Sequence, residues 1–349
     1  MTAATTVHPA APPSPPSPPS PAARRHPLAR VALRRVAASV VTLFVLSVLV
    51  FLATSVLPGD AASALLGKQA TGPALETLRH RMGLDRPLID QYGSWLTGLL
   101  HGDLGNTAAG YATGGRVSVW SQISDKLGSS LVLAATVFVP VVLISLVLGV
   151  LTALRAGRWL DHVITTVTLV PAALPEFVLG TVLLAVFFTW LDVLPPVSLV
   201  APGTSPLATP ETLVLPVLTL IGVTVGPATR MIRAGMQEAL LADTVAVARL
   251  NGIAEPRVIR RYALRNALAP SIQVLALIAQ YLVGGLLIVE ELFGYPGIGK
   301  ELVDAVTAHD NLEVQSVTML LATFYVAVTI AADLLVMAVV PKLRTGGAS

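Results

Sequence analysis

A chain of 349 residues with 54% apolar and only 12% charged residues is not a water-soluble globule, because soluble domains carry about a quarter charged residues. The formal net charge of +3 is small, the basic residues follow the membrane topology rather than forming a nucleic-acid surface, and the absence of cysteine excludes disulfides, thiolate metal sites and a cysteine nucleophile. The six histidines show neither HxxxH nor HExxH spacing, so no metal site and no cofactor is expected.

Residues 1–30 open the chain with a Pro/Ser-rich stretch at 9–21. Such a composition cannot bury a core, so a disordered tail is expected. The first apolar run starts too late and runs too long for a cleaved signal peptide. About 20 apolar residues are needed to cross the hydrocarbon of a bilayer. Six segments reach or approach that length: 36–57, 127–154, 163–191, 212–229, 267–289 and 314–340. Several contain proline (Pro140, Pro171, Pro175, Pro216, Pro227). Neighbouring helices can satisfy the carbonyls freed at a kink. The expected class is therefore an all-α, polytopic membrane protein with six transmembrane helices over residues 31–345.

Lys and Arg set the orientation. Six spans divide the 23 basic residues sixteen to seven between the two sides. The richer side is the cytoplasm, so both termini are expected there, in a cell membrane. Two connections are long. Residues 58–126 form an external region whose stretch 74–100 reads as short helices. Residues 230–266 form the main cytoplasmic loop. Within that loop, 240–250 reads as a short helix, with Leu241, Val245 and Ala248 on one face at i, i+4 and i+7. Asn251-Gly252 would end it. A second, basic helix over 255–266 is expected to lead into the fifth span. A short amphipathic helix beside a membrane can lie on lipid or dock a partner, and periodicity alone does not choose.

The residues of this loop resemble the EAA loop of ABC-importer permeases, in the dipeptide/oligopeptide/nickel branch. Ala248-Arg249-Leu250-Asn251-Gly252 matches its A-R-x-x-G, and Arg265 to Pro270 match its R-N-A-L-x-P. Ala246 stands where the motif's leading Glu is usual. Further pieces follow in family order: Leu57-Pro58-Gly59-Asp60, Met82 to Leu88 (MGLDRPL), Gly102-Asp103-Leu104-Gly105, Val289 to Gly299 (VEELFGYPGIG), and Asp333-Leu334-Leu335 with Pro341-Lys342-Leu343-Arg344. Glu176 departs from the family's small polar residue in P-x-F-x-x-G, and Val340 from its Asp.

The resemblance implies a type I ABC-importer permease fold, and a permease subunit that is not itself an enzyme. It implies a second homologous permease, two ATP-binding cassette ATPases and an extracytoplasmic substrate-binding protein as partners, beside the lipid bilayer and without nucleic acid. It implies ATPase coupling through Leu241, Val245, Ala248, Arg249, Asn251 and Gly252. The substrate class it implies is dipeptides or oligopeptides, with nickel chelates or glutathione-like peptides as alternatives.

Gly294 to Lys300 fits G-x-x-x-x-G-K, but residue 301 is Glu where a phosphate loop needs Ser or Thr for Mg²⁺. A Gly/Pro turn ending the fifth span is the expected reading. Glu176 and Asp333 lie within spans, where a carboxylate costs at least about 2.5–3.5 kcal/mol unless it faces protein or water. Glu176 and Gln280 are candidates for the translocation path, whereas Asp333 fits a polar contact between helices or a position near the cytoplasmic end of its span. A secondary transporter would usually show inverted repeats, and a membrane enzyme a clustered catalytic motif such as GxSxG. Neither signal is present.

Overall fold

The computed structural model describes residues 27–56, 61–67, 71–112, 115–201 and 204–339. The Pro/Ser-rich stretch, Leu57-Pro58-Gly59-Asp60 and Pro341-Lys342-Leu343-Arg344 lie outside the described residues. In chain order the helices are α1 (Pro27–Val56), α2 (Ala61–Leu66), α3 (Gly72–Met82), α4 (Leu88–Leu100), α5 (Ala108–Ala112), α6 (Val119–Leu154) and α7 (Trp159–Ala172). Then come α8 (Glu176–Leu184), α9 (Pro210–Leu241), α10 (Asp243–Leu250), α11 (Glu255–Val258), α12 (Leu264–Phe293), α13 (Ile298–Thr307) and α14 (Asn311–Val339). Among the described residues the extended backbone pairs only at an isolated bridge, Asn106 to Ser118.

Five helices are long and apolar enough to cross a membrane, and a bent pair makes a sixth span. That pair replaces the single span expected at 163–191. Trp159–Ala172 and Glu176–Trp190 meet at 98°. Pro175 disfavours helical backbone at Leu174, and its own ψ of 147° turns the chain out of the helix before Glu176. The second and fourth spans are longer than their apolar runs. Helix α6 begins at Val119, capped by the Ser118 side chain, and α9 continues through Arg230 and Arg233 to Leu241. Apolar length marks the part of a helix that suits hydrocarbon, not where its hydrogen bonding stops.

Helix α9 is the centre of the bundle and packs on α6, α7, α8 and α12. In lipid there is no hydrophobic drive between helices, so close backbone approach through small residues holds them. Gly226 lies so near α7 that a Cβ there would sit 2.3 Å from the Thr168 carbonyl oxygen. Gly149 of α6 similarly admits Ile232. Around these contacts Leu133, Val137, Val141, Leu215, Leu220, Ile278 and Val289 form the main buried core. Most large apolar side chains of α1, such as Val40, Phe44 and Leu49, are exposed on the outside, as a lipid-facing surface requires.

At the bundle end where α6 begins, α4 lies against α1 and α14. Phe51, Tyr92 and Trp95 stack with centroids 5.3 to 6.1 Å apart, and the Trp95 indole donates to Ser316. Helix α13 closes the same end. It follows the expected turn, where Gly294 takes φ +61° to cap α12, but a helix there is not foreseen from the apolar runs. Its buried Ile298 and Ala305, with half-buried Leu302 between, repeat at helical spacing, which is the signal that marks it. Glu301 of α13 pairs with Lys126 and accepts from Gln122 at 2.8 Å. Burial raises the Glu301 carboxyl, but these two donors hold it below the usual carboxylate range.

Asp333 is ion-paired with Arg35 of α1. The contact between helices is thus the reading that the structure supports for this acid.

Candidate functional site

The bundle end opposite α13 carries α10. Helix α9 stops at Ala242, whose ψ of 144° breaks the helix, and α10 restarts at Asp243. The helix expected over 240–250 is therefore interrupted, and Leu241 does not share a face with Val245 and Ala248. Val245 and Ala248 are buried, at 0% and 3% exposure, among Met236, Ala239, Val258 and Ala263 of the same chain. The apolar periodicity is real, but it seats α10 on its own permease. Neither residue is available to touch a partner.

The outward side has different residues. Leu241 and Leu250 are 86% and 87% exposed, and Val247 is 54% exposed. Leu250 and Val247 escape a search for one apolar face. Their signal is that α10 is apolar on two faces, at 245/248 and at 247/250, and one packing surface can satisfy only one of them.

Arg249, Asn251 and Gly252 are exposed and build the turn after α10. Gly252 N donates to Arg249 O at 3.0 Å and Ile253 N to Ala248 O at 3.2 Å. That pair of bonds is the Schellman arrangement, with the left-handed residue just past the cap. Gly252 occupies it at φ +72°, and nothing lies within 4 Å of where its Cβ would be. Ile253 then folds back into the core under α10. Arg249 holds the far side of the turn by a bidentate pair with Glu255, at 2.7 and 3.1 Å. The hydrogen bond raises Arg249 and lowers Glu255 from their ordinary pKa values. The pair is exposed, so it orients the turn more than it stabilises the fold. Beyond α11 the backbone widens to a π-helical turn over 259–263 and runs directly into α12. The basic segment over 255–266 thus runs into the fifth span, as expected, but through a π-helical turn rather than as one regular helix.

The candidate path residues sit further up the bundle. Glu176 is the first residue of α8, at the 98° corner, half-buried, and it accepts a hydrogen bond from the Tyr281 hydroxyl of α12. The α8 N-terminus favours the negative charge at that position. Gln280 faces elsewhere. Its side chain donates to Thr329 of α14 at 2.8 Å, because one residue along a helix turns the side chain by about 100°. The structure brings Glu176 together with Tyr281 and separates both from Gln280. Tyr281 is 41% exposed on that face.

An apolar cavity of about 350 Å³ opens between α6, α12 and α14, lined by residues such as Phe138, Leu286 and Phe324 and reaching Glu290. A more polar cavity of about 440 Å³ lies at the α4 end, with Arg86, Gln91 and Asp103 in its wall. Neither contains Glu176 or Tyr281.

The G-x-x-x-x-G-K turn is occupied by a carboxylate of the chain itself. Glu290, fully buried, accepts from Gly299 N at 2.7 Å and from the Ser130 hydroxyl of α6. Ser130 in turn accepts from Ile298 N at 2.8 Å. The backbone donors that a nucleotide phosphate would require are consumed internally.

Two family models match this chain. The binding-protein-dependent transport system inner membrane component matches residues 145–345, and the N-terminal part of that membrane component matches residues 28–134. A putative peptide transport system permease protein of Brucella abortus (strain 2308) is 31% identical over 312 residues, covering 89% of this chain and 98% of that protein. A glutathione transport system permease protein of Escherichia coli (strain K12) is 30% identical with the same coverage. With its bent third span, its buried core around α9 and a family model matching more than half its length, the chain belongs to the binding-protein-dependent transport system inner membrane components.

Proposed function

We propose that this chain is the permease of an ATP-driven importer of short peptides, and that α10 is the element on which an ATPase pushes. The observation that carries the coupling reading is the second apolar face of α10. Val247 and Leu250 stand exposed on a helix whose other face is already seated, and Leu241 stands exposed beside them at the end of α9. Together with the turn at Arg249, Asn251 and Gly252 they form the docking surface, while Val245 and Ala248 seat it. The peptide class rests on the relatives, which are named for peptide and glutathione transport, and glutathione is itself a small peptide. A second, related permease would complete the path, two ATPases would engage one α10 each, and a binding protein would deliver substrate at the α13 end. The direct test is to purify the tagged chain from its own cells and identify what comes with it. ATPase subunits should co-purify in amounts comparable to the permease; a permease that takes up peptide with no ATPase attached would refute the proposal.

The α10 end is assigned to the cytoplasm by the excess of Lys and Arg there. Reporter fusions at residues 20 and 345 should both read cytoplasmic, and an external C-terminus would overturn the six-span topology.

Glu176 with Tyr281 is proposed to line the path, and Gln280 to hold α12 to α14. Glu176→Gln keeps an acceptor for the Tyr281 hydroxyl but removes the charge. Uptake should fall about tenfold, equivalent to 1.4 kcal/mol, with the complex assembled at wild-type level. Normal uptake by an intact complex would take Glu176 out of the path.

A further inference from the structure

The largest mechanical gap in this scheme lies between α10 and the corner at Glu176. Helix α10 touches neither α7 nor α8 among the described contacts that are most extensive; α9 is what joins them. Only Ala242 separates α9 from α10, so a push on α10 displaces the end of α9. Whether that displacement reaches the corner depends on how α7, the arm below it, is tied to α9.

The tie is a buried ion pair. Asp161, in the first turn of α7 and 3% exposed, accepts from Arg233 Nη2 of α9 at 2.7 Å. The same carboxylate accepts from Gly157 N at 2.9 Å, in the turn between α6 and α7 where Gly157 takes φ +74°, and from Thr165 one turn along α7. One side chain therefore joins the α6–α7 turn, α7 and α9. The Arg233 side of the pair is less supported. Its Nε is buried and has no hydrogen-bond partner among the described residues, so the carboxylate is the main hold on the guanidinium. Eight residues separate Arg233 from the end of α9 at Leu241, or about 12 Å along the axis. Higher up, Gly226 lies close against Thr168 of α7 and Gly222 against Leu179 of α8, closer than a Cβ would allow.

We propose that Asp161 and Arg233 are positioning residues for coupled transport: the pair makes α7 move with α9, so that a push on α10 arrives at the corner where Glu176 meets Tyr281. The proposal rests on α10 being the coupling element. It predicts that α7 and α9 behave as one body, while α14, which packs on α1, α12 and α13 rather than on α9, moves relative to them.

The chain has no cysteine, so introduced pairs can be spin-labelled without background. In the complete complex, labels at Val167→Cys and Glu211→Cys report α7 against α9, and labels at Glu211→Cys and Leu334→Cys report α9 against α14. Each distance is measured nucleotide-free and after trapping with ATP and vanadate. In the otherwise wild-type complex the α9–α14 distance should change on trapping and the α7–α9 distance should not. With Asp161→Asn or Arg233→Gln the α7–α9 distribution should broaden or shift on trapping. The exchanged double variant, Asp161→Arg with Arg233→Asp, should narrow it again. A purely structural role predicts instead that the distances of the assembled fraction stay as in wild type while the yield falls, and that result overturns the proposal. If the single variants do not assemble, Arg233→Lys decides. It keeps the charge but loses the planar guanidinium, so an α7–α9 distribution that broadens or shifts on trapping in the assembled complex supports the tie, and one as invariant as wild type overturns it; independent motion of α7 in the wild-type complex refutes it as well. Absence of any α9–α14 change in wild type would point to failure of the coupling reading rather than of the tie.

Discussion

Replacing Gly252 by Glu is expected to leave the permease in the membrane at its normal level while abolishing both ATPase association and uptake. The glycine takes φ +72° to complete the cap of α10. A residue with a Cβ adopts that conformation at a cost of about 1 kcal/mol. The site is open, with nothing within 4 Å of the Cβ position, so no clash damages the fold. What the glutamate adds is a charge on the proposed docking surface, between Leu250 and the Arg249–Glu255 pair. An unpaired charge placed in an interface costs about 2–5 kcal/mol. Together these terms amount to about 4 kcal/mol, a loss in affinity on the order of 1,000-fold. Gly252→Ala carries the backbone cost alone and should weaken association only about fivefold. Co-purification and uptake measured on the same membranes give both numbers. A helix resting on lipid would accept the charge in the headgroup region, so wild-type import by the Glu variant, with ATPases still attached, would end the coupling assignment.

Gly297→Ala should be severe for the opposite reason, because it leaves the surface alone and strikes the core of the other bundle end. Its backbone is ordinary, at φ −107°, so conformation is not the issue. Space is. A Cβ at Gly297 would sit 2.1 to 2.2 Å from the carboxyl atoms of Glu290. Glu290 cannot give way cheaply, since Ser130 and Gly299 N hold its two oxygens and it is fully buried. Overpacking costs about 1–3 kcal/mol, and each buried hydrogen bond broken without replacement costs about 1–3 kcal/mol more. Loss of most folded protein is expected, seen as a lower melting temperature in detergent and a lower yield. The double variant Glu290→Ala with Gly297→Ala removes the obstructing carboxyl. It should be more stable than Gly297→Ala alone, a non-additivity that contact between the two residues requires. Strictly additive losses would show that the glycine is not needed to seat Glu290.

The glycines and lysine of the same turn have the spacing of a phosphate loop. In three dimensions Glu290, in the span before it, fills the nest with its own carboxylate. The acid in Val289-Glu290-Glu291 and the glycines in Pro296-Gly297-Ile298-Gly299 are thus one structural unit.

Much of the architecture is set by local chemistry and so is legible in the order of residues. Membrane-length apolar runs mark the spans, because only a helix satisfies its backbone within hydrocarbon. Gly252 and Gly294 mark helix ends, because each takes a left-handed φ. The motifs around Ala248 and Gly299 suffice to suggest the family, since they carry the turns on which the fold depends. What the sequence does not determine alone is which side of a helix meets which neighbour. Val245 and Ala248 have the right period for a docking face, and tertiary packing turns them inward and leaves Leu241, Val247 and Leu250 outside. Glu176 and Gln280 are both polar, and only the placement of α8 and α14 around α12 gives one to Tyr281 and the other to Thr329. Asp161 and Arg233 lie 72 residues apart, and no local pattern announces that they meet. Periodicity is a property of one helix, whereas a partner is a property of two, and it is fixed by the glycines that let α9 approach α7, α8 and α6 from different sides.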